Sequence, residues 1–374
     1  MHILVAPNAF KNSLNAEEAA AAISLGLQKS GLQCTVIQFP IADGGDGTGT
    51  LLIERLKGET IRSTVHDPLG RTISASYGWL NDQTAIIEMA NASGLRLLKP
   101  AEYDPLHANS YGTGELINEC ISKHAKTIIL CIGGSATVDG GTGMLRALGI
   151  KFLDNAGMEL TELPSSLPQL SNIIIPDSFD KLKDRKFIVL CDVENQLLGE
   201  NGSAAVFGPQ KGASPTQVKE LENCLTDLRN ITLQITGKDM ATIKHGGAAG
   251  GIAAAFQVFL NASLVNGIDY FLNITRFSEE LQNADLVITG EGSLDQQTLH
   301  GKGPMGVAKM AKQFSIPVIG MAGKIADEEL LKDHFTQLIC INENNRDLEF
   351  NLKNAKSNLE KASEKLGAQL KSKE

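Results

Sequence analysis

Six carboxylates and three lysines stand where glycine loosens the chain: Asp43, Asp46, Asp139, Asp192, Glu291 and Asp295, with Lys11, Lys211 and Lys302. Carboxylates can hold Mg²⁺ or accept a hydroxyl proton, and lysines can offset charge on transferring oxygens, so together they are the parts of a phosphoryl-transfer site. Other chemistries lack their parts. Gly301-Lys302-Gly303 has no Ser or Thr after the lysine and no upstream glycine loop, and the Gly112/Gly114 and Gly141/Gly143 pairs lack the third glycine of a dinucleotide fingerprint. There is no HExxH string, no clustered His or Cys set and no GxSxG elbow. The residues alone point to a small-molecule enzyme, with phosphoryl transfer favoured.

The densest cluster lies in ADLVITGEGSLDQQTLHGKGPMG, residues 284–306. Its apolar run Asp285–Thr289 reads as a strand buried on both faces of a parallel sheet. Gly290, Glu291, Gly292, Asp295, Gly301, Lys302 and Gly303 then form a polar loop before Pro304 and a helix over Met305–Phe314. Ligands of open α/β sheets bind between the carboxyl end of a strand and the amino end of a helix. Lys11 sits in the same way between a strand at Ile3–Ala6 and a helix over Ala16–Gln28, where it could meet a phosphate or carboxylate or simply be solvated. Asp43-Gly44-Gly45-Asp46-Gly47 and Asp139-Gly-Gly-Thr-Gly143 each offer backbone N–H groups beside an acid, a geometry suited to phosphate or metal. For Asp139 a helix-capping role is favoured, and Asp46 has the same alternative. Gly133-Gly134-Ser135-Ala136-Thr137 is small enough for a ligand to touch the main chain, with two hydroxyls as donors. Asp192 follows the strand Lys186–Leu190 directly, and Asp295 follows its strand by a short glycine loop. These two are the favoured metal ligands or hydroxyl partners. Gly199–Gly212 reads as a loop carrying Lys211.

The elements that must position these groups fall into two patterns. Cys34–Phe39, Thr127–Ile132, Ile316–Met321 and Gln337–Ile341 read as further buried strands. Thr60–Val65, Thr72–Trp79 and Thr84–Met89, with turns at Asp67–Gly70 and Asn81-Asp82, read as an antiparallel meander that opens a second domain. Asn15 with Glu18 resembles a capping box. A helix is expected over Glu115–Lys123, after the loop Ser110–Gly114, and another over Ser214–Leu228. Residues 155–186 read as connection and surface, and His245–Gly251 as a run so small that close packing or a ligand is expected. Leu352, Ala355, Leu359, Ala362 and Leu366 form a packing stripe on a final helix.

With 374 residues the chain can bury two cores, and its 42% hydrophobic content is that of a soluble globular protein. A net charge of −9 argues against holding nucleic acid or an anionic membrane by overall field. MHILVAPNAF reads as a strand and not as an export peptide, no apolar run approaches a membrane span, and the six cysteines without a CxxC pair read as reduced core residues of a cytoplasmic protein.

The strings APNAFKNSL, PIADGGDGT, YGTGELI, IGGSATVDGGTGM, CDVENQLLG, AVFGPQKGA, GGAAGG, ADLVITGEGSLD and GKGPMGVA follow one another in an order that resembles the type I glycerate kinase family along almost the whole chain. The resemblance departs at Asn8, Ala9 and Asn12, at Val138 and Gln196, and at Ser293. An acid is missing at Asn8 and a cation at Ser293, which bears on substrate range more than on reaction type. The resemblance implies ATP-dependent phosphorylation of D-glycerate with Mg²⁺, to 2-phosphoglycerate in preference to the 3-phosphate. It also implies two unlike α/β domains. One is Rossmann-like and built from both chain ends, residues 1–60 and 276–374. The other is an inserted α/β domain with a mixed sheet, residues 61–275. On this reading Lys11, Asp192 and Asp295 are catalytic. Asp43, Gly44, Gly45, Gly133, Gly134, Ser135, Thr137, Lys211, Glu291 and Lys302 bind substrate or nucleotide. Lys11, Asp43, Glu291, Asp295 and Lys302 belong to the terminal halves and Ser135, Thr137, Asp192 and Lys211 to the inserted part, so ATP and glycerate are expected on different domains, which would have to meet for turnover. A nucleotide-cofactor dehydrogenase and a non-catalytic sensor of a small acid are the rival readings, and both monomer and homodimer stay open.

Overall fold

A computed structural model describes residues 1–80, 82–299, 302–342 and 347–372. Asn81 of the expected Asn81-Asp82 turn and Gly301 of the glycine-lysine loop lie outside them. The strands are β1 His2–Pro7, β2 Thr35–Gln38, β3 Glu59–His66, β4 Thr72–Trp79, β5 Thr84–Glu88, β6 Thr127–Cys131, β7 Lys151–Leu153, β8 Asn172–Ile174, β9 Lys186–Cys191, β10 Ser263–Asn266, β11 Leu286–Leu294, β12 Val318–Ile325 and β13 Gln337–Cys340. The chain divides into two compact units, Met1–Asp43 with Asn266–Glu374, and Gly44–Val265. The expected breaks after residues 60 and 275 thus fall earlier, because the helix Thr48–Arg55 packs on β4 and β5 and the helix Gly267–Ile274 packs on the helix Gly303–Gln313.

In the first unit the strands run β13-β12-β11-β1-β2, all parallel. The chain moves outward from β1 to β2 and then to the other side through β11, so the strand order reverses between β1 and β11, where a doubly wound sheet leaves its ligand crevice. β1 from Ile3 to Ala6 and β11 from Leu286 to Ile288 are buried apolar runs, as two-sided covering demands. β11 does not stop at Thr289. It stays paired with β12 through Leu294↔Ile325, so Gly290, Glu291 and Gly292 are strand residues and not loop residues. The Asn15–Glu18 capping box is present in both directions at the start of the helix Ala16–Lys29. The final helix, Leu348–Lys371, buries Ala355, Leu359 and Leu366 against that first helix. The two backbones approach so closely that a Cβ at Gly26 would lie 2.2 Å from the Glu360 carbonyl oxygen.

The second unit holds a mixed sheet, β10-β9-β6-β5-β4-β3. β3, β4 and β5 form the expected antiparallel meander, and β5, β6 and β9 are parallel. The loops after β5, β6 and β9 therefore leave from one carboxyl edge. Several expectations change here. The helix begins at Tyr111 and not at Glu115, since Gly112 and Gly114 are contact points at which a Cβ would lie 1.9 Å from the His66 carbonyl oxygen and 2.5 Å from that of Met144. The expected loop Gly199–Gly212 contains a short helix, Ser203–Phe207. The helix expected over Ser214–Leu228 runs from Pro215 to Thr236, capped by Ser214. Residues 155–186, expected as connection and surface, instead contribute β8, which pairs with β7, and bury Leu160, Leu163, Leu167, Leu170, Ile173 and Phe179 in the core. The glycines around Gly250 serve close packing, its missing Cβ standing against the Thr137 carbonyl oxygen. Cys120, Cys131, Cys191 and Cys224 are buried, whereas Cys34 is half-buried and Cys340 exposed. Among the described residues no helix is long and apolar enough to cross a membrane.

Candidate active site

The first unit gathers Lys11, Asp43, Glu291, Asp295 and Lys302 around the crevice between β1 and β11. β1 ends at Pro7, and the Asn8 N–H donates to the Gly290 carbonyl at 2.8 Å, tying the Lys11 loop to β11. Asn8 also donates its amide to Asp43 Oδ2 at 2.9 Å. The same oxygen lies 3.4 Å from the Gly303 N–H at the first turn of the helix Gly303–Gln313, so Asp43 meets the positive end of that helix. Glu291 points from β11 with 8% of its surface exposed and accepts a hydrogen bond from Thr298 Oγ1 at 3.1 Å. Thr298 Oγ1 in turn accepts from the Asp295 N–H, and Ser293 Oγ donates to the Asp295 carboxylate. Burial, and then the neighbouring charge of Asp43, push Glu291 up to about 7, against the pull of Lys302 and Lys11.

That shift has a stability consequence of definite sign. The folded state keeps a proton on Glu291 that the unfolded chain has already lost, so this group's contribution declines as pH rises from 4.5 to about 7. Thermal melts of the ligand-free protein across this window should fall with pH, and Glu291→Gln should flatten the slope. An identical slope in both proteins would mean that Glu291 ionises as a solvated acid.

In the second unit Gly44, Gly45, Gly133 and Gly134 pack against one another. A Cβ at Gly133 would lie 2.5 Å from the Gly45 Cα, so the two glycine turns fill each other's space. Beside them Lys211, only 3% exposed, donates to Ser135 Oγ at 2.8 Å and to the Thr137 carbonyl at 2.7 Å. Burial pushes its ammonium down to about 7, opposed by the charge of Asp139. The Thr137 hydroxyl is buried with no partner among the described residues. Asp192 stands half-buried directly after β9, on the edge from which Gly133–Thr137 leaves β6.

Asp139 is not the cap residue of the helix Thr142–Ala147, a position held by Gly141, but from two residues upstream its carboxylate takes the N–H groups of Gly141 and Gly143. Asp46 is not a cap. It pairs with Arg96 at 2.7 Å, and the Gly47 N–H at the head of the helix Thr48–Arg55 goes to Glu88 instead. Glu88 is raised by burial and by its hydrogen bond with Asp46. Glu88 and Thr298 carry no expectation from the sequence, and Asn8 carries one only as a missing acid, not as the partner of Asp43. A glutamate closing the apolar run Thr84–Ile87 was the available signal for Glu88; Thr298 offers none apart from its neighbours. Among the described residues no three His, Cys, Asp or Glu side chains stand together as a metal-binding group.

Both units thus gather polar loops, buried carboxyls and lysines at the carboxyl edge of parallel strands, the build of an α/β enzyme that acts on small charged molecules. The chain belongs to the glycerate kinase family, which matches residues 3–371. It is 43% identical to a glycerate kinase of Halalkalibacterium halodurans over 324 residues, 86% of this chain and 85% of that one. It is equally 43% identical to the glycerate 2-kinase of Escherichia coli K12 over 329 residues, covering 88% and 86%. A crystal structure from Salmonella typhimurium LT2 assigned to glycerate kinase 2 is 40% identical and superposes with a TM-score of 0.83, covering 100% of this chain and 99% of that one.

Proposed function

We propose that this kinase transfers the γ-phosphoryl group of ATP to D-glycerate, giving 2-phosphoglycerate, in the cytoplasm. The observation that carries the reading is the cluster of Lys11 and Lys302 about the buried Glu291, at the strand-order reversal of a doubly wound sheet. The kinship with the glycerate 2-kinase of Escherichia coli supports both acceptor and product. Phosphoryl transfer asks little covalent chemistry of the protein and much positioning and charge compensation. Lys11 and Lys302 would neutralise oxygens on which charge builds. Lys211, whose proton is held loosely in its buried site, would act as a tunable donor beside Ser135 and Thr137.

Mg²⁺ prefers hard oxygen ligands, keeps several waters and takes the remainder from substrate phosphates, so one or two protein carboxylates suffice. Asp192 and Asp295, half-buried beside strand ends, fit that modest demand. Bound there, the ion would supply charge neutralisation on the phosphates, and the acid that does not hold it would accept the hydroxyl proton. Asp192→Asn and Asp295→Asn keep shape and remove charge. For the metal ligand, the Mg²⁺ concentration at half-maximal rate should rise about tenfold, equivalent to ~1.4 kcal/mol. A loss of turnover that extra Mg²⁺ does not repair would reassign that residue to proton transfer, and unchanged kinetics in both would remove them from the site.

ATP consumption coupled to D-glycerate tests the reading directly, with phosphorus NMR of the product to locate the phosphate. No D-glycerate-dependent consumption would overturn it, and a 3-phosphate product would correct it.

A further inference from the structure

The first unit contains a cavity of about 320 Å³ whose walls come from the loop after β1, the carboxyl ends of β11 and β12, the residues following β13 and the first turns of the helix Leu348–Lys371. Its lining is chemically mixed. It includes three lysines, Lys11, Lys302 and Lys324, beside the buried Glu291. Lys324 lies on β12 as the register partner of Ser293. Its apolar wall comes from Leu348 and Leu352, with the nearly buried Phe10 behind them in the chain's own core. Leu348 is 70% exposed, so its side chain is open to a ligand in the cavity. The wall is braced, since Ser13 Oγ donates to the Leu352 carbonyl at 2.9 Å and fixes the β1 loop to the helix.

Every carbon of glycerate carries an oxygen, so an apolar wall gives it nothing, and a three-carbon acid would fill little of the space. Cavities from roughly 300 Å³ upward suit ligands with an aromatic or apolar body and a few oriented polar groups. A nucleoside triphosphate has both halves: a flat base for the apolar wall and a polyanion for the lysines. We infer that this cavity is the nucleotide site, with the base against Leu348 and Leu352 and the phosphates toward Lys11, Lys302 and Lys324. The assignment deepens the proposed function and rests on it for the identity of the nucleotide. Glycerate must then be bound chiefly by other groups.

Leu348→Glu and Lys324→Glu test the apolar wall and the lysines separately with the full chain. Both residues are exposed, and a glutamate in the first turn suits a helix amino end, so both variants should melt as the parent does. Titration with a fluorescent ADP analogue should show each variant binding about tenfold more weakly, with the KM for ATP raised to match and the KM for D-glycerate within about twofold of the parent. Unchanged affinity for the analogue in both variants, or a rise in the KM for D-glycerate instead, overturns the assignment. The two readings fail separately. A parent that phosphorylates D-glycerate while both variants keep their nucleotide affinity leaves the kinase standing without this cavity. Nucleotide binding that both variants lose, with no D-glycerate turnover in the parent, keeps the cavity and removes the acceptor.

Discussion

Asp139→Ala should lower the stability of the second unit by about 3–5 kcal/mol, the range for breaking a buried, fully hydrogen-bonded ionic group by deleting one partner. The carboxylate is wholly buried and accepts from the Ser110 N–H at 2.9 Å, Ser110 Oγ at 2.7 Å, the Gly141 N–H at 3.1 Å and the Gly143 N–H at 3.1 Å. Ser110 Oγ itself accepts from the Met144 N–H, so the carboxylate joins the heads of the helices Tyr111–Ser122 and Thr142–Ala147. Alanine would strand three backbone donors in the interior and leave the buried Lys211 ammonium without the charge that opposes its desolvation. Asparagine is no repair, because its NH₂ group would face donors. Urea unfolding followed by circular dichroism measures the loss, and a midpoint close to the parent's would show that the network can relax around the gap. Activity should fall with stability or with the charge of Lys211, and the Mg²⁺ requirement of what remains should be unchanged, which separates this acid from a metal-holding Asp192 or Asp295.

Lys11→Ala and Lys302→Ala should each reduce kcat/KM about a hundredfold, close to 3 kcal/mol of transition-state stabilisation, with melting unchanged. Lys11 is exposed on the loop after β1, and Lys302 is half-buried as the cap residue before the helix Gly303–Gln313, so neither supports a core. Both act on Glu291, which places their charges near one another. An isolated surface lysine would cost nothing measurable. Folded variants with near-parental turnover would therefore take both residues out of the site.

What was legible in the sequence followed from one-dimensional rules. The buried runs at Ile3–Ala6 and Asp285–Thr289 could only be interior strands, the Asn15–Glu18 pair encodes its own cap, and the stripe through Leu359 and Leu366 repeats with helical spacing. The errors have a common source, which is that glycine signals both a turn and a close contact. Gly112 and Gly114 lie inside a helix, and Gly290 inside a strand, because a neighbouring backbone needs the room there. In the site, the grouping of Lys11, Glu291 and Lys302 was readable from their shared strand-end position. The burial of Lys211 and the exchange of roles between Asp46 and Glu88 were not, since they arise from contacts between residues dozens of positions apart.

The first helix and the last are packed backbone to backbone at Gly26, and β1 lies between β2 and β11 in a sheet whose other three strands come after residue 285. During synthesis the opening forty-odd residues therefore leave the ribosome without their partners and must wait while the whole of the second unit is made. The second unit is continuous in sequence and can collapse as it emerges. The first must close a loop of more than two hundred residues, an entropic cost that grows only as the logarithm of length but delays the encounter. Until then the edge of β1 that will take β11 is unpaired, and it is this nascent half-sheet that a chaperone would have most reason to shield.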